Sequence, residues 1–209
     1  MRVIRGTLVC EGSSDQMIIP ILKWLFGSHG FPAVEVARPD LGLLRNPPKT
    51  LEERVQAALS NNPCDIVFIH RDADACSYAT RADEIDRGLR DLGLSVPHVR
   101  VVPVRMSEAW LLIDEDAIRR VAQRPNGRTI LAMPRLAHLE SLPDPKGTLL
   151  RLLTTASELT GRRLDQFRTE ARSRVHQLAE FISDYGPLRN LSAFQSLEEE
   201  LVRALAAMR

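Results

Sequence analysis

The first half of the chain alternates short apolar runs with amphipathic segments. The strongest run, residues 66–69, is β-branched and aromatic without polar alternation. Such a run is typical of a strand that is covered on both faces of a parallel sheet. Weaker apolar runs occupy residues 7–10, 33–36 and 99–104. Segments with helical periodicity, residues 51–59 and 79–92, lie between the later apolar runs. This alternation predicts an α/β fold with a mostly parallel, Rossmann-like sheet and helices on both faces.

Capping signals refine where the helices begin. Ser13 and Gln16 have the spacing of a capping box, and Thr50 and Glu53 repeat it. Each pair predicts a helix start. Pro20 lacks a backbone donor, so we expect it to kink the first helix or to mark its restart.

The second half of the chain is helical in pattern. The turn signal Asn126-Gly127 predicts a boundary between an α/β domain, residues 1–125, and a helical C-terminal extension, residues 126–209, that packs on it. The extension ends in an amphipathic helix over residues 192–208 with an apolar stripe.

Composition narrows the class of protein. The 209 residues are 44% hydrophobic and 26% charged with a formal net charge of +1. These are values of a globular protein, and they give no support for wholesale binding to nucleic acid or membrane. The three cysteines form no CxxC pair, no 18 apolar residues run together, and no secretory signal pattern is present. We therefore expect a cytoplasmic protein with no membrane association.

Acidic residues follow three of the four apolar runs. Glu11 follows the first run, Asp72 and Asp74 follow the third, and Glu108 follows the fourth. Ligands of open α/β sheets bind at the carboxyl ends of the strands, so these acids are candidates for chemistry. Ordinary alternatives remain open: Asp favours turns, Glu108 can complement a helix dipole, and an isolated Glu11 can be a solvated loop acid. His70, beside the Asp pair, is interpreted as a structural neighbour.

Several carboxylates at one sheet edge repel one another unless protons or cations compensate. Oxygen ligands favour Mg²⁺, Ca²⁺ or Mn²⁺ over zinc, and we expect Mg²⁺ or Mn²⁺ as the cofactor.

A basic excess lies between Pro145 and His176, where seven basic residues oppose only three acidic ones. The basic residues are Lys146, Arg151, Arg162, Arg163, Arg168, Arg172 and Arg174. Such a run is either a solvated face or a surface for a phosphate backbone. Arg151, Arg162, Arg163 and Arg168 are the candidate nucleic-acid contacts.

The motifs together resemble the TOPRIM domain of topoisomerases, bacterial primases and overcoming-lysogenisation-defect (OLD) nucleases. Glu11-Gly12 after the first strand and Asp72-Ala73-Asp74 after a later strand carry the resemblance, in the family's order. The longer pattern, with His70-Arg71 before the Asp pair and Ser107-Glu108-Ala109-Trp110 further on, is similar to small stand-alone proteins of the OLD-like branch.

The resemblance implies roles for the matching residues. Glu11 would be a catalytic acid/base or a metal ligand, and Asp72 and Asp74 would be metal ligands. Glu108 would hold a second metal, and Lys146 is a candidate for stabilising charge on the phosphate. No tyrosine stands where a topoisomerase nucleophile would, so strand passage is not expected.

The resemblance also implies a function, which is metal-dependent hydrolysis of DNA or RNA phosphodiesters in phage or plasmid defence. The chain has no GxxxxGK phosphate loop, so an ATPase would come from a partner. One alternative is a non-catalytic, cation-binding subunit of a defence or nucleic-acid-processing complex. A second is a haloacid-dehalogenase-type phosphatase, but its Asp-x-Asp motif belongs on the first strand, which would leave Glu11 unexplained.

Overall fold

A computed structural model describes residues 3–208, with all side chains in that range except those of Ser13 and Arg172. Four strands form one parallel sheet in the order β2-β1-β3-β4. The strands are β1 (Ile4–Val9), β2 (Val34–Ala37), β3 (Ile66–His70) and β4 (His98–Val101). The predicted α/β class with a mostly parallel sheet is confirmed, since all four strands are parallel, and the arrangement is consistent with a Rossmann-like fold.

The strand order reverses between β1 and β3. The chain passes from β1 to β2 on one side and then returns to β3 on the other side, pairing Gly6 with Ile66 and Val9 with Ile69. The connections that leave β1 and β3 therefore diverge, which opens a crevice at the carboxyl edge of the sheet.

Helices cover both faces of the sheet. They are α1 (Ile18–Ser28), α2 (Leu51–Asn61), α3 (Tyr78–Leu89), α4 (Glu115–Val121), α5 (Pro145–Ala156), α6 (Gly161–Phe181) and α7 (Ser192–Ala207). Phe68 faces the larger core, which contains residues of α1 and α4 to α7, whereas Val67 and Ile69 face the smaller core of α2 and α3. All five residues of β3 are buried, as its unbroken apolar pattern predicts.

Several element boundaries differ from the predictions. β1 begins at Ile4 rather than at residue 7, β4 ends at Val101 rather than at residue 104, and α3 ends at Leu89 rather than at residue 92. The capping box before α2 is confirmed, because Thr50 Oγ1 accepts a hydrogen bond from the Glu53 N–H at 3.2 Å.

The first predicted helix is divided. A 3-10 turn, Ser13–Met17, precedes α1, and Pro20 lies in the first turn of α1, where a missing N–H costs nothing. The predicted cap pair differs: the Asp15 carboxylate accepts from the Gly12 N–H at 3.0 Å, while the side chain of Ser13 lies outside the described part.

The C-terminal helices share the larger core with the sheet. α7 packs against β4, and α6 packs against α4, α5 and the 3-10 turn Ser13–Met17. The basic helix α6 therefore lies beside the turn that comes after Glu11. The division at residue 125 stays a prediction. Within residues 3–208, no helix is both long and apolar enough to cross a bilayer.

Glu200 of α7 joins the edge strand β4 to the helical layer. Its carboxylate accepts from the Arg100 backbone N–H at 2.8 Å and from the Arg100 guanidinium at 2.6 Å and 2.9 Å. Glu200 is only 9% exposed, and Arg100 also contacts Asp86 at 2.8 Å. The pair satisfies the Arg100 N–H of the edge strand β4, which would otherwise be free to bond to a strand of another chain.

Replacing Glu200 leaves the Arg100 guanidinium and an edge N–H without their main acceptor. We expect Glu200→Ala to lower the free energy of unfolding by about 3 kcal/mol, the usual cost of breaking a buried ion pair. Urea denaturation measures the change. Glu199→Ala, at an exposed neighbour on the same helix, is the control and should stay within about 0.5 kcal/mol of wild type. Equal stability of the two variants would contradict a structural role for the pair.

Candidate functional site

The crevice between β1 and β3 holds a cavity of about 320 Å³ at the carboxyl edge of the sheet. The two connections and the last residue of β3 form its lining, which consists of Glu11, Gly12, Ser14, Asp15, His70, Arg71, Asp72 and Asp74. Glu11, Asp72 and Asp74 therefore lie around one cavity. Asp15 adds a fourth carboxylate, which the prediction from sequence did not include.

Asp72 is the acid that the surrounding structure holds most firmly. Its Oδ1 accepts from the Ser107 backbone N–H and from the Ser107 hydroxyl, both at 2.9 Å. Burial raises the pKa of Asp72 from 3.8 to about 6, against the opposing influence of His70 and the Ser107 hydrogen bond; the charges of Glu108 and Asp15 raise it further. A nearby cation would therefore relieve an unfavourable charge at this position.

His70 orients its ring toward the acids. Its Nδ1 lies 2.9 Å from the Val101 carbonyl oxygen, and because a carbonyl only accepts, Nδ1 carries a proton. Nε2 then faces the site, at 3.6 Å from Asp72 Oδ1 and 3.9 Å from Asp15 Oδ1. His70 is 3% exposed and forms part of the cavity wall. Its interpretation as a structural neighbour of the acids stays a prediction.

Two arginines balance the remaining acids of the cavity. Arg71 lies 3.1 Å from Glu11 Oε1, and Arg81 lies 3.5 Å from Asp74 Oδ2. Glu84 holds both guanidiniums, at 3.4 Å from Arg71 and 2.6 Å from Arg81. Glu84 therefore holds both arginines in place, even if Glu11 or Asp74 turns toward another cation.

The backbone at Asp74 is in a left-handed conformation. Asp74 has φ of 54° and donates its N–H to the carbonyl of Arg105 at 2.9 Å, and Arg105 itself has φ of 63°. Left-handed backbone at residues other than glycine costs about 1–3 kcal/mol and concentrates at functional sites. The Asp74 carboxylate lines the cavity and is 58% exposed.

Glu108 and Lys146 form a separate pair next to the cavity. The Glu108 side chain is only 8% exposed and lies 3.6 Å from Lys146 Nζ. Glu108 does not line the acidic cavity, although its charge reaches Asp72. Met106 precedes the 3-10 turn Ser107–Leu111 as its cap residue, and the Ser107 hydroxyl bonds to Asp72. Lys146 lies in the first turn of α5.

The carboxylates of the cavity are the type of ligand that a hard divalent cation prefers, but they are not close enough together to form a complete metal site. Among residues 3–208, no group of three His, Cys, Asp or Glu side chains is arranged to hold a metal ion. The carboxylate oxygens of Glu11, Asp72 and Asp74 are ligands that Mg²⁺ and Mn²⁺ prefer. Binding therefore requires Glu11 to leave Arg71, or Asp74 to leave Arg81.

The predicted nucleic-acid arginines lie on the surface of the C-terminal helices. Arg151 of α5 donates to Thr148 Oγ1 at 2.7 Å, and Arg168 of α6 lies 3.6 Å from Asp165. Arg162 and Arg163 are exposed in the first turn of α6. At about 100° per residue, Arg163 and Arg168 stand roughly 140° apart around the helix, so one straight strand cannot contact both equally.

The sequence predicted most of the acids of the cavity but not the residues that contact them. Asp15, Arg71, Arg81, Glu84 and Ser107 each contact a predicted site residue or line its cavity. Arg71 had a local signal, since it stands between the strand and the Asp pair. Arg81 and Glu84 had a weaker one, their i,i+3 spacing on the next helix.

No protein-family model, curated protein or solved structure matches this chain.

The raised pKa of Asp72 predicts a pH-dependent stability. Between pH 3.8 and about 6 the folded state binds more protons at Asp72 than the unfolded state, so its stability falls as pH rises through that window. Asp72→Asn does not titrate and can still accept from Ser107. With chelator present, we expect the variant to match wild type below pH 4 and to exceed it by up to about 3 kcal/mol near pH 7.

Urea denaturation across that pH range measures the difference. Asp83→Asn, which removes one exposed carboxylate from α3, is the control for net charge. An Asp72→Asn variant that is less stable than wild type at pH 7 would show that ionised Asp72 stabilises the fold.

Proposed function

We propose that this protein is a metal-dependent nuclease that hydrolyses phosphodiester bonds of DNA or RNA. The observation that carries the proposal is the convergence of Glu11, Asp72 and Asp74 on one cavity at the point where the strand order reverses. That point is where open α/β sheets bind their ligands. A half-buried carboxyl with a raised pKa among further carboxylates is an arrangement that a cation stabilises.

Each residue has a role that its surroundings support. Asp72, fixed by Ser107, would be the constant cation ligand, and Asp74 and Glu11 would each exchange an arginine for the cation. Glu11 is 63% exposed and is therefore also free to move a proton to or from water. A bound Mg²⁺ or Mn²⁺ would activate a water molecule and neutralise charge on the phosphate.

Positive side chains on the C-terminal helices support substrate binding. Lys146 is half-exposed beside Glu108, so its ammonium is available to a phosphate that approaches that pair. α6, which carries Arg162, Arg163 and Arg168, packs against the turn that comes after Glu11. A nuclease needs such cations because its acids repel the phosphate backbone.

The sequence pattern extends the proposal to a family and a setting. The order Glu11, then Asp72-Ala73-Asp74, then Glu108 resembles TOPRIM proteins of the OLD-like branch. On that resemblance we propose a role in phage or plasmid defence, with an ATPase supplied by a partner. The Rossmann-like parallel sheet is compatible with this family.

A second candidate is a non-catalytic subunit that uses the same edge to dock a partner. The observation that favours it is the set of ion pairs Arg71–Glu11 and Arg81–Asp74, which balance the acids without a metal. In that case a divalent cation would bind at the edge but would leave the nucleic acid intact.

Cleavage assays separate the two candidates. We expect purified protein to cut labelled single- or double-stranded DNA or RNA with Mg²⁺ or Mn²⁺, and chelator to abolish the activity. Glu11→Gln and Asp72→Asn should each lower the cleavage rate by about 100-fold or more, because each removes a charge from the reacting site. Binding measured in chelator should persist in Glu11→Gln.

Two further results complete that test. Glu35→Gln, at an exposed acid of β2, is the matched control and should cleave at the wild-type rate. Full activity in Asp72→Asn would place the chemistry elsewhere, and inactivity on every substrate with both cations would favour the docking subunit.

The basic helix makes a separate prediction. Replacing Arg162, Arg163 and Arg168 together by Ala should weaken nucleic-acid binding and reduce the slope of log K against log salt by up to about 2.7 on duplex DNA. Arg168 lies on a different side of α6 from Arg163. The single variant Arg168→Ala therefore shows whether both sides of the helix contribute to nucleic-acid binding. Fluorescence anisotropy in chelator measures both. An unchanged slope in the triple variant would identify a solvated helix face.

A further inference from the structure

A second cavity adjoins the acidic one on the β2 side of the sheet edge. It has a volume of about 330 Å³, and Glu11 and Gly12 belong to the walls of both cavities. The loop between β2 and α2 forms its outer wall with Pro39, Pro47 and Pro48. A smaller space of about 170 Å³ continues it toward Lys49 and Arg71. The volume lies at the low end of the range for small-ligand pockets.

Unpaired positive charge distinguishes this cavity. Arg38 and Arg54 line it and are half-buried, yet among residues 3–208 neither lies within ion-pair distance of a carboxylate. Arg71 and Arg81, which stand beside the acidic cavity, each have such a partner. Burying a guanidinium without a counter-charge is unfavourable, so Arg38 and Arg54 indicate an anionic ligand.

Arg54 is also held in position by the backbone. Its guanidinium donates to the carbonyl oxygens of Cys10 at 3.0 Å and Glu11 at 3.3 Å. These bonds fix the cation next to the residue proposed as the catalytic acid/base, while leaving other donors of its fork for a ligand.

The other groups of the cavity do not oppose an anion strongly. Glu11 pairs with Arg71, and Asp40 uses Oδ1 to accept from the Gly42 N–H at 3.2 Å. Burial, together with the Asp15 charge, raises the pKa of Cys10 to about 12, so its thiol is neutral at pH 7. Adding Lys49 from the smaller space, the walls carry more positive than negative charge.

We propose that the cavity of Arg38, Lys49 and Arg54 is a phosphate-binding subsite that holds one phosphate of a nucleic-acid strand while a neighbouring phosphodiester lies at the acids. The identity of the ligand rests on the proposed nuclease function. Paired guanidiniums suit phosphate because each can donate two hydrogen bonds in one plane. The bound phosphate is either internal to the strand or a terminal monoester.

Binding experiments in chelator test the subsite without cleavage. Short single-stranded DNA and RNA, each with a 5′-phosphate or a 5′-hydroxyl, are titrated by fluorescence anisotropy at several salt concentrations. We expect Arg38→Gln/Lys49→Gln to weaken binding about tenfold or more and to reduce the salt slope by about 1.4. A loss confined to the 5′-phosphorylated strand identifies a terminal phosphate, and an equal loss on both identifies a backbone phosphate.

The control is Arg45→Gln/Lys23→Gln, which removes one exposed arginine and one exposed lysine that line none of these cavities. It should bind within about twofold of wild type. If the double variant does not fold, the single variant Lys49→Gln, at an exposed side chain, is compared with wild type instead. It should show about half of the change in salt slope. Pyrophosphate should compete with the strand on wild type and lose that effect in the variant.

The two proposals fail in different ways. Wild-type cleavage together with unchanged affinity and salt slope in Arg38→Gln/Lys49→Gln would overturn the subsite and keep the nuclease. Affinity that depends on Arg38 and Lys49, without cleavage under any cation, would keep the subsite and overturn the nuclease. A wild-type protein that binds none of the strands would overturn the subsite.

Discussion

Repulsion between carboxylates at the reversal of the strand order is the constraint on which this structure depends. Parallel pairing of β1 with β3 brings Glu11 and the Asp pair to one crevice, because both connections leave the same edge of the sheet. Two devices offset the repulsion. Arg71 and Arg81 neutralise the exposed acids, and Ser107 donates twice to the half-buried one, Asp72.

These devices also connect the crevice to the rest of the fold. Glu84 of α3 fixes both arginines, so the orientation of that helix determines where the positive charge stands. Ser107 comes after β4, whose edge is fixed to α7 by the Arg100–Glu200 pair. The acids are thus positioned by strand ends, but their charge balance depends on helices from both faces. If a cation entered the crevice as we propose, it would replace Arg71 or Arg81, and Glu84 would still hold both arginines.

The sequence predicts the sheet and the location of the acids for a physical reason. Strands buried on both faces leave an apolar run without alternation, and the residues just after such a strand lie at the ligand-binding edge. Boundaries were less predictable. Arg5 and Gly6 interrupt the apolar pattern of β1, so the sequence does not show where this strand begins. Gly6 fits in the strand because it has no side chain: the Phe68 ring lies 3.0 Å from where a Cβ would be. The arginine partners depend on side-chain directions across α3, which no local pattern encodes.

Charge is arranged across the sheet edge in the order of the strands. Arg38 comes after β2, Glu11 after β1, the Asp pair after β3, and Glu108 with Lys146 after β4. At about 4.8 Å between strands, the edge spans about 14 Å, which matches roughly four nucleotides of a duplex strand at about 3.4 Å each. On the proposed nuclease function, a nucleic-acid strand laid across the edge would meet Arg38 at one end, Lys146 at the other end and the acids between them. We therefore expect such a strand to run perpendicular to the β-strands.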